Sequence, residues 1–363
     1  MRLENTTLFQ GMTDGYEYYR IPGLLVTTRG VVLATCEARH GGDWGENDLL
    51  IRRSTDGGVS WEPPRLLAAH AGYGDGPVSN LVLIADQADG AVHALYCYDY
   101  GHVYYLRSDD DGVSFSAPVA ISLEAFRQAY PWQVVATGPG HGTQLRNGRL
   151  VVPLWLSEGS SAEFPGKRGH RPSAVSSIYS DDHGRSWQCG EIVCRHGLGG
   201  ISNPSETVMV ELMDGCVLFN VRSESAEHRR LVTVSPDGAS GWSAPYFDDS
   251  LLEPICMAGL IRASWPTATE PGRIIFSNPD NLERQPTNWG TSCDRQRLTI
   301  KMSEDDCRTW PLSRVLEAGL AGYSDLAVLP DGTVLCFYER GDLGGPPAET
   351  SLTLAHFDMG FLE

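Results

Sequence analysis

No stretch of the 363-residue chain approaches the roughly 20 consecutive apolar residues that a membrane-spanning helix needs. The opening "MRLENTTLFQGMTDG" is too polar for the hydrophobic region of a secretory signal. The sequence therefore leads to the expectation of a cytoplasmic protein without membrane insertion, or of a secreted one whose leader has been trimmed. Positive charge is scarce, with 28 Lys and Arg against 46 Asp and Glu and a formal net charge of -18. Such a surface argues against nucleic acid and anionic membranes as partners, and an anionic ligand would have to be drawn by a local cluster of arginines. Cysteine pairs at metal-binding spacing are missing: nine cysteines lie singly between Cys36 and Cys336, with no C-x-x-C and no His-x-x-x-His. Reduced thiols packed as small hydrophobes are expected, and no metal or organic cofactor. Helical periodicity is nearly absent, and no Pro/Gly/Ser-rich linker or low-complexity tract interrupts the chain. Residues 1–363 accordingly read as one all-β domain, and the 41% hydrophobic composition supports a sizeable core.

What the chain does contain is a repeat. "STDGGVSW" at 54–61 recurs as "SDDDGVSF" at 108–115, "SDDHGRSW" at 180–187 and "SEDDCRTW" at 303–310, with a looser "SPDGASGW" at 235–242. The shared S-x-D-x-G-x-x-W pattern predicts a turn between two strands. Ser and Asp bond backbone amides, Gly takes a positive φ, and the aromatic packs down on the hairpin. The starts lie 54, 72, 55 and 68 residues apart, room for four short strands and their loops in each repeat. Dividing 363 residues by about 60 gives six such units. Four-stranded sheets stacked around an axis solve the problem of unprotected sheet edges, so a six-bladed β-propeller is expected. Apolar runs such as "GLLVTTRGVVLATCEAR" and "GRLVVPLWL" between Gly, Asp and Asn turns agree with it. The turns indicate a fold and say little about chemistry.

In a propeller, functional residues gather near the axis and come from separate repeats. The first candidate is Arg20, a permanent charge inside "YYRIPGL" between two tyrosines and an Ile-Pro-Gly run. "YRIP" near the N-terminus, followed by these boxes, resembles the exo-sialidase (neuraminidase) family of bacterial and animal type, over most of the chain from Arg20 to Glu339.

The resemblance implies a six-bladed propeller in which three arginines grip the carboxylate of a terminal sialic acid. Arg20 matches the first. "ETVMVELMDGCVLFNVR" supplies Glu206 and, 16 residues later, Arg222 as the second. "RQRLTIKMSEDD" offers Arg295 as the third, with Arg297 as an alternative register. Guanidinium groups donate planar paired bonds that suit a carboxylate. Glu339 in "FYERG" matches the family's counter-charge to the first arginine. Tyr323 in "GYSDLAVL" matches its nucleophile. An anomeric centre that already bears a carboxylate repels an anionic nucleophile, which a neutral hydroxyl avoids. A tyrosine needs an adjacent base, a role that falls to Glu206. The acid is expected on a mobile loop: "RHGGDWGENDLL" offers Asp43 among glycines, with Asp48 as the alternative at the start of the next strand. By resemblance, the loops "GYGDG" and "GPGHG" bring Asp75 and His141 to the sides of the pocket, and "EPICMAGLIR" lines it with departures from the family's residues.

The expected function is a retaining exo-α-sialidase whose partner is a small molecule or glycan with an anomeric carboxylate. Three alternatives stay open at this point: action on a deaminated sialic acid or a 3-deoxy-octulosonic acid, a trans-sialidase, and a glycan-binding propeller without catalysis.

Overall fold

A computed structural model describes residues 3–284 and 294–362 of the chain. The fold is all-β, 48% strand and 4% helix. The first sheet runs in chain order through Tyr18–Val26, Val32–His40, Glu46–Ser54 and Arg65–Ala68, each antiparallel to the last. The second takes Val78–Ala85, Val92–Tyr98, His102–Ser108 and Val119–Ile121, and gains Gly140–His141 as a parallel partner of Val78–Ala85. Val134–Thr137, Leu150–Ser157 and Ser173–Ser180 with short outer strands form the third. Thr207–Glu211, Val217–Val221, Arg229–Ser235 and Tyr246–Leu252 form the fourth. The remaining seven strands make one hydrogen-bonded path. Within it the 17-residue strand Leu312–Val328 pairs with Gln296–Ser303 through residues 312–320 and with Val334–Arg340 through residues 321–328. The path ends on the N-terminal strand Leu3–Gln10, antiparallel to Ser351–Phe357.

Most inner strands are buried on both faces; Val78–Ala85 and Leu150–Ser157 are buried throughout. This explains their continuous apolar runs where a half-exposed strand would alternate. Each core therefore lies between sheets. Leu33, Leu49 and Ile51 pack with Leu83, Val92 and Ala94; Leu150 and Val152 with Phe219 and Val221; Val208 and Val210 with Leu260 and Phe276. Tyr19, Leu24 and Ala34 of the first sheet share a cluster with Leu335, Phe337 and Leu354 of the last. The chain ends meet in the same core.

The repeated turns join third to fourth strands as their chemistry predicts. In the first, Asp56 accepts from Ser54 Oγ at 2.7 Å and from the Ser60 amide at 2.9 Å, and Ser54 Oγ accepts from the Gly58 amide at 2.8 Å. The indole of Trp61 donates to Gly58 O at 2.9 Å. The serine and aspartate bonds, though not the indole bond, recur at Ser108 and Asp110, Ser180 and Asp182, and Ser303 and Asp305. Cys307 holds a positive φ of 66° where Gly112 and Gly184 stand in the sister turns at 75° and 78°. Of the cysteines, the eight described are free thiols, six of them buried, and Cys293 lies outside the described residues. Among the described residues no helix is long and apolar enough to cross a membrane.

Candidate active site

The site is built from interruptions in the inner strands. In Tyr18–Val26 the register slips between Arg20 and Gly23. Pro22 has no N–H to give to a ladder, and Ile21 turns to a φ of 58°, so the segment leaves the sheet as a bulge. The freed Ile21 amide donates to Glu339 Oε1 at 3.1 Å, and Arg20 Nε reaches the same oxygen at 2.9 Å. A second slip lies between Ala321 and Ser324 in the long strand. There the Tyr323 amide donates to Glu339 Oε2 at 3.0 Å. A Cβ on Gly322 would stand 2.4 Å from that oxygen, so only glycine fits. One fully buried carboxylate thus ties the Arg20 bulge to the Tyr323 bulge. Burial would raise the Glu339 pKa, but Arg20, with the Tyr323 amide, holds it below the ordinary 4.5.

Around Tyr323 the three expected arginines converge. Arg20 Cζ and Arg295 Cζ each lie 5.1 Å from its ring centroid. Arg222 Nη1 donates to its hydroxyl oxygen at 2.6 Å and to Glu206 Oε2. The hydroxyl donates to Glu206 Oε1 at 2.5 Å. Burial pushes the phenol well above its usual 10, Glu206 adds to this, and the arginines pull it back in part. Three guanidinium groups face Glu206 and Glu339, so about one net positive charge surrounds a neutral hydroxyl that already touches a base. Arg20 Nη1 and Arg222 Nη2 have no protein partner among the described residues. The arrangement can hold an anion against a nucleophile.

Asp43 stands in the loop after Val32–His40, half-buried, with Oδ1 2.7 Å from Arg39 Nη1. Desolvation raises its pKa, but Arg39 first and then Arg20 outweigh that and keep the carboxyl well below the usual range. Arg39 is buried and also grips Glu37, whose second oxygen accepts the Asn80 amide at 2.7 Å. The other candidates separate. Asp48 accepts from Tyr16 Oη at 2.6 Å and from the His70 amide at 2.8 Å, tying strand to loop away from Tyr323. Arg297 is exposed at a φ of 62°, and its carbonyl serves the Asp280 amide. Arg295 is the arginine at the cluster, with Nη2 on Ile255 O at 2.8 Å, so the "EPICMAG" segment does meet the site. His141 lies between the sheets, but its Nδ1 pairs with Asp325 at 2.7 Å rather than with the arginine group. Asp75 is exposed in its loop and has no bond to the cluster. A depression of about 650 Å³ lined by Tyr105, Arg107, His183 and Trp187 includes none of the predicted site residues.

Residues 29–336 match the BNR repeat-like domain family. A sialidase of Micromonospora viridifaciens is 31% identical over 96% of this chain and 53% of its own length. One from Bacteroides fragilis is 27% identical over 90% of this chain and 60% of its own. The chain is a member of the BNR-repeat sialidase family. It spans little more than half the length of those two relatives. The solved Hadza microbial sialidase Hz136 superposes with a TM-score of 0.79 at 25% identity, covering 99% of this chain and 69% of that one. The sialidase neighbours are propellers, and the all-β sheets described above share their fold. Two residues of this sialidase fold escaped the sequence reading. Arg39 sits in "CEARH", two residues after a buried glutamate; a second Arg in an apolar strand was the available signal. Trp44, next to Asp43, gave none beyond being aromatic in a glycine loop.

Proposed function

We propose that the protein is a retaining exo-α-sialidase built as a single six-bladed propeller. The observation that carries this reading is the Tyr323 hydroxyl, donated to Glu206 at 2.5 Å and ringed by Arg20, Arg222 and Arg295. The arginines hold the substrate carboxylate, which sets the anomeric carbon beside the phenol. Tyr323 Oη bonds to that carbon while its proton passes to Glu206, the bond from that carbon to the leaving oxygen breaks, and the oxygen takes a proton from Asp43, which must first pick one up from solvent against the pull of Arg39. In the second half Asp43 removes a proton from water. Water oxygen then bonds to the anomeric carbon, the Tyr323 bond breaks, and Glu206 returns its proton to the phenol. Glu339 orients Arg20 and the Tyr323 backbone and does not exchange protons with substrate. The pairing supports the reading of six units: four sheets of four or more strands, and a seven-strand path whose long strand would serve two.

Tyr323→Phe keeps the ring and removes the attacking oxygen. Turnover of an aryl ketoside of N-acetylneuraminic acid should fall by about three orders of magnitude or more while the melting temperature holds. A 3-fluoro sialyl fluoride should add one sugar mass to the Tyr323 peptide of the wild type and none to the variant. Label on Glu206, or near-normal turnover by the variant, would sink the mechanism. Activity confined to deaminated or octulosonic ketosides would keep the mechanism and change the substrate.

A further inference from the structure

We infer that Trp44 is a positioning residue for Asp43, clamping the acid's glycine loop to the loop at 158–172 of the third sheet. The inference rests on the reading of Asp43 as general acid. Gly41 and Gly42 are both exposed, Gly41 at a φ of 98°, and a Cβ on either would meet nothing within 4 Å. Backbone of this kind has little to hold it. Within the loop, Asn47 Nδ2 donates to the Gly42 and Asp43 carbonyls at 3.3 Å and the Gly45 amide to Gly42 O at 2.9 Å. The side-chain contacts that tie it to the rest of the molecule come from Arg39 on one side of Asp43 and from Trp44 on the other. The Trp44 ring lies 4.9 Å from Tyr100, 6.1 Å from His170 and 6.4 Å from Phe164, centroid to centroid. Arg168 Cζ and Lys167 Nζ sit over its face at 5.4 Å and 5.6 Å.

That receiving loop is itself pinned. Arg168 Nη2 bonds Asp99 Oδ2 at 2.7 Å, and Ser157 Oγ donates to Gly169 O at 3.1 Å. Arg171 Nε bonds Glu224 at 2.8 Å, and Glu224 accepts from Asn203 Nδ2 at 2.9 Å. Glu224 lies two residues past Arg222, and Asn203 three before Glu206. One loop therefore runs from the acid's neighbour to the strands that carry the base. Trp44 supplies the ring contacts between the acid's loop and this frame.

The test uses Trp44→Ala and Trp44→Phe beside Asp43→Ala and the double variant. A misplaced acid hurts leaving groups that need a proton and spares those that do not. Trp44→Ala should lose about 30-fold or more in kcat on sialyllactose and no more than about 3-fold on the nitrophenyl ketoside, where merely impaired folding would lower both alike. Trp44→Phe, which keeps an aromatic wedge, should recover most of the loss. Covalent labelling of Tyr323 by the sialyl fluoride should proceed in Trp44→Ala, which shows an intact nucleophile whatever its melting temperature. The double variant should be no slower on sialyllactose than Asp43→Ala. Equal losses on both substrates, no loss, or additive losses in the double variant would overturn the clamp. If Asp43→Ala itself shows no leaving-group split, the acid assignment falls first and takes the clamp with it.

Discussion

Glu339 does the most varied work of any side chain at the centre. Its two oxygens receive the Arg20 guanidinium, the Ile21 amide and the Tyr323 amide. Because its folded pKa lies below the ordinary 4.5, its ionised form favours the native state, and that contribution is present above about pH 4.5 and lost as pH falls. Glu339→Gln keeps the shape and removes the charge, leaving Arg20 without its counter-ion in a buried setting. Breaking such a pair costs about 3 to 5 kcal/mol. Thermal unfolding at pH 7 should show a clear drop, and the variant's melting temperature should fall less than the wild type's between pH 7 and pH 4. A variant as stable as the wild type at pH 7 would show that the bulges stand without the carboxylate. Of this arrangement, the pairing of residues 20 and 339 was legible in the sequence through the family resemblance. The two amides were not, since they follow from bulges that no side-chain pattern announces.

At the level of elements, one device recurs: a left-handed residue frees an amide, and a buried carboxylate takes it, from another sheet in two cases and from two residues earlier in the third. Ile21 gives its amide to Glu339, Asn80 to Glu37, and Ile255 to Glu253, at φ of 58°, 54° and 66°. The last carboxylate also pairs with the fully buried Arg230. Periodic apolar runs read as uninterrupted strands from sequence, so the breaks that create the site stay hidden while the strands themselves are plain. The turns at the other end of the third strands are the opposite case. Their Ser, Asp and Gly act on neighbours two to four residues away, and local chemistry of that range survives any packing. In the turn at 303–310, Ser303 Oγ is buried and receives the Cys307 amide at 2.9 Å. Ser303→Ala orphans that amide, at a cost of about 1 to 3 kcal/mol. Denaturant unfolding should register the loss, while kcat per folded molecule stays unchanged. A fall in kcat would tie this turn to the site and contradict its reading as a folding device.

For the whole molecule, the first strand contributes to the core that joins the first sheet to the last. Leu3–Gln10 completes the last sheet against Ser351–Phe357, although the chain continues from it into the first sheet. Its register slips between Thr7 and Phe9, which lets two successive residues, Leu8 and Phe9, both enter the core shared by first and last sheets. Without this strand, Ser351–Phe357 becomes an open edge, and the packing that presses Tyr19 onto Phe337 loses the Phe9 ring, now 5.2 Å from Tyr19. Burying those two side chains is worth about 1.5 to 3 kcal/mol each. Removing residues 1–10 should lower the melting temperature by about 5 °C or more. It should also loosen Arg20 against Glu339, since one sits on each side of the opened seam, so KM for an anionic ketoside should rise before kcat falls. A synthetic peptide of residues 1–12, added in excess, should restore both by rebuilding the missing strand. A truncated protein that melts with the full chain and binds as well would show that the inter-sheet core alone keeps the first and last sheets together.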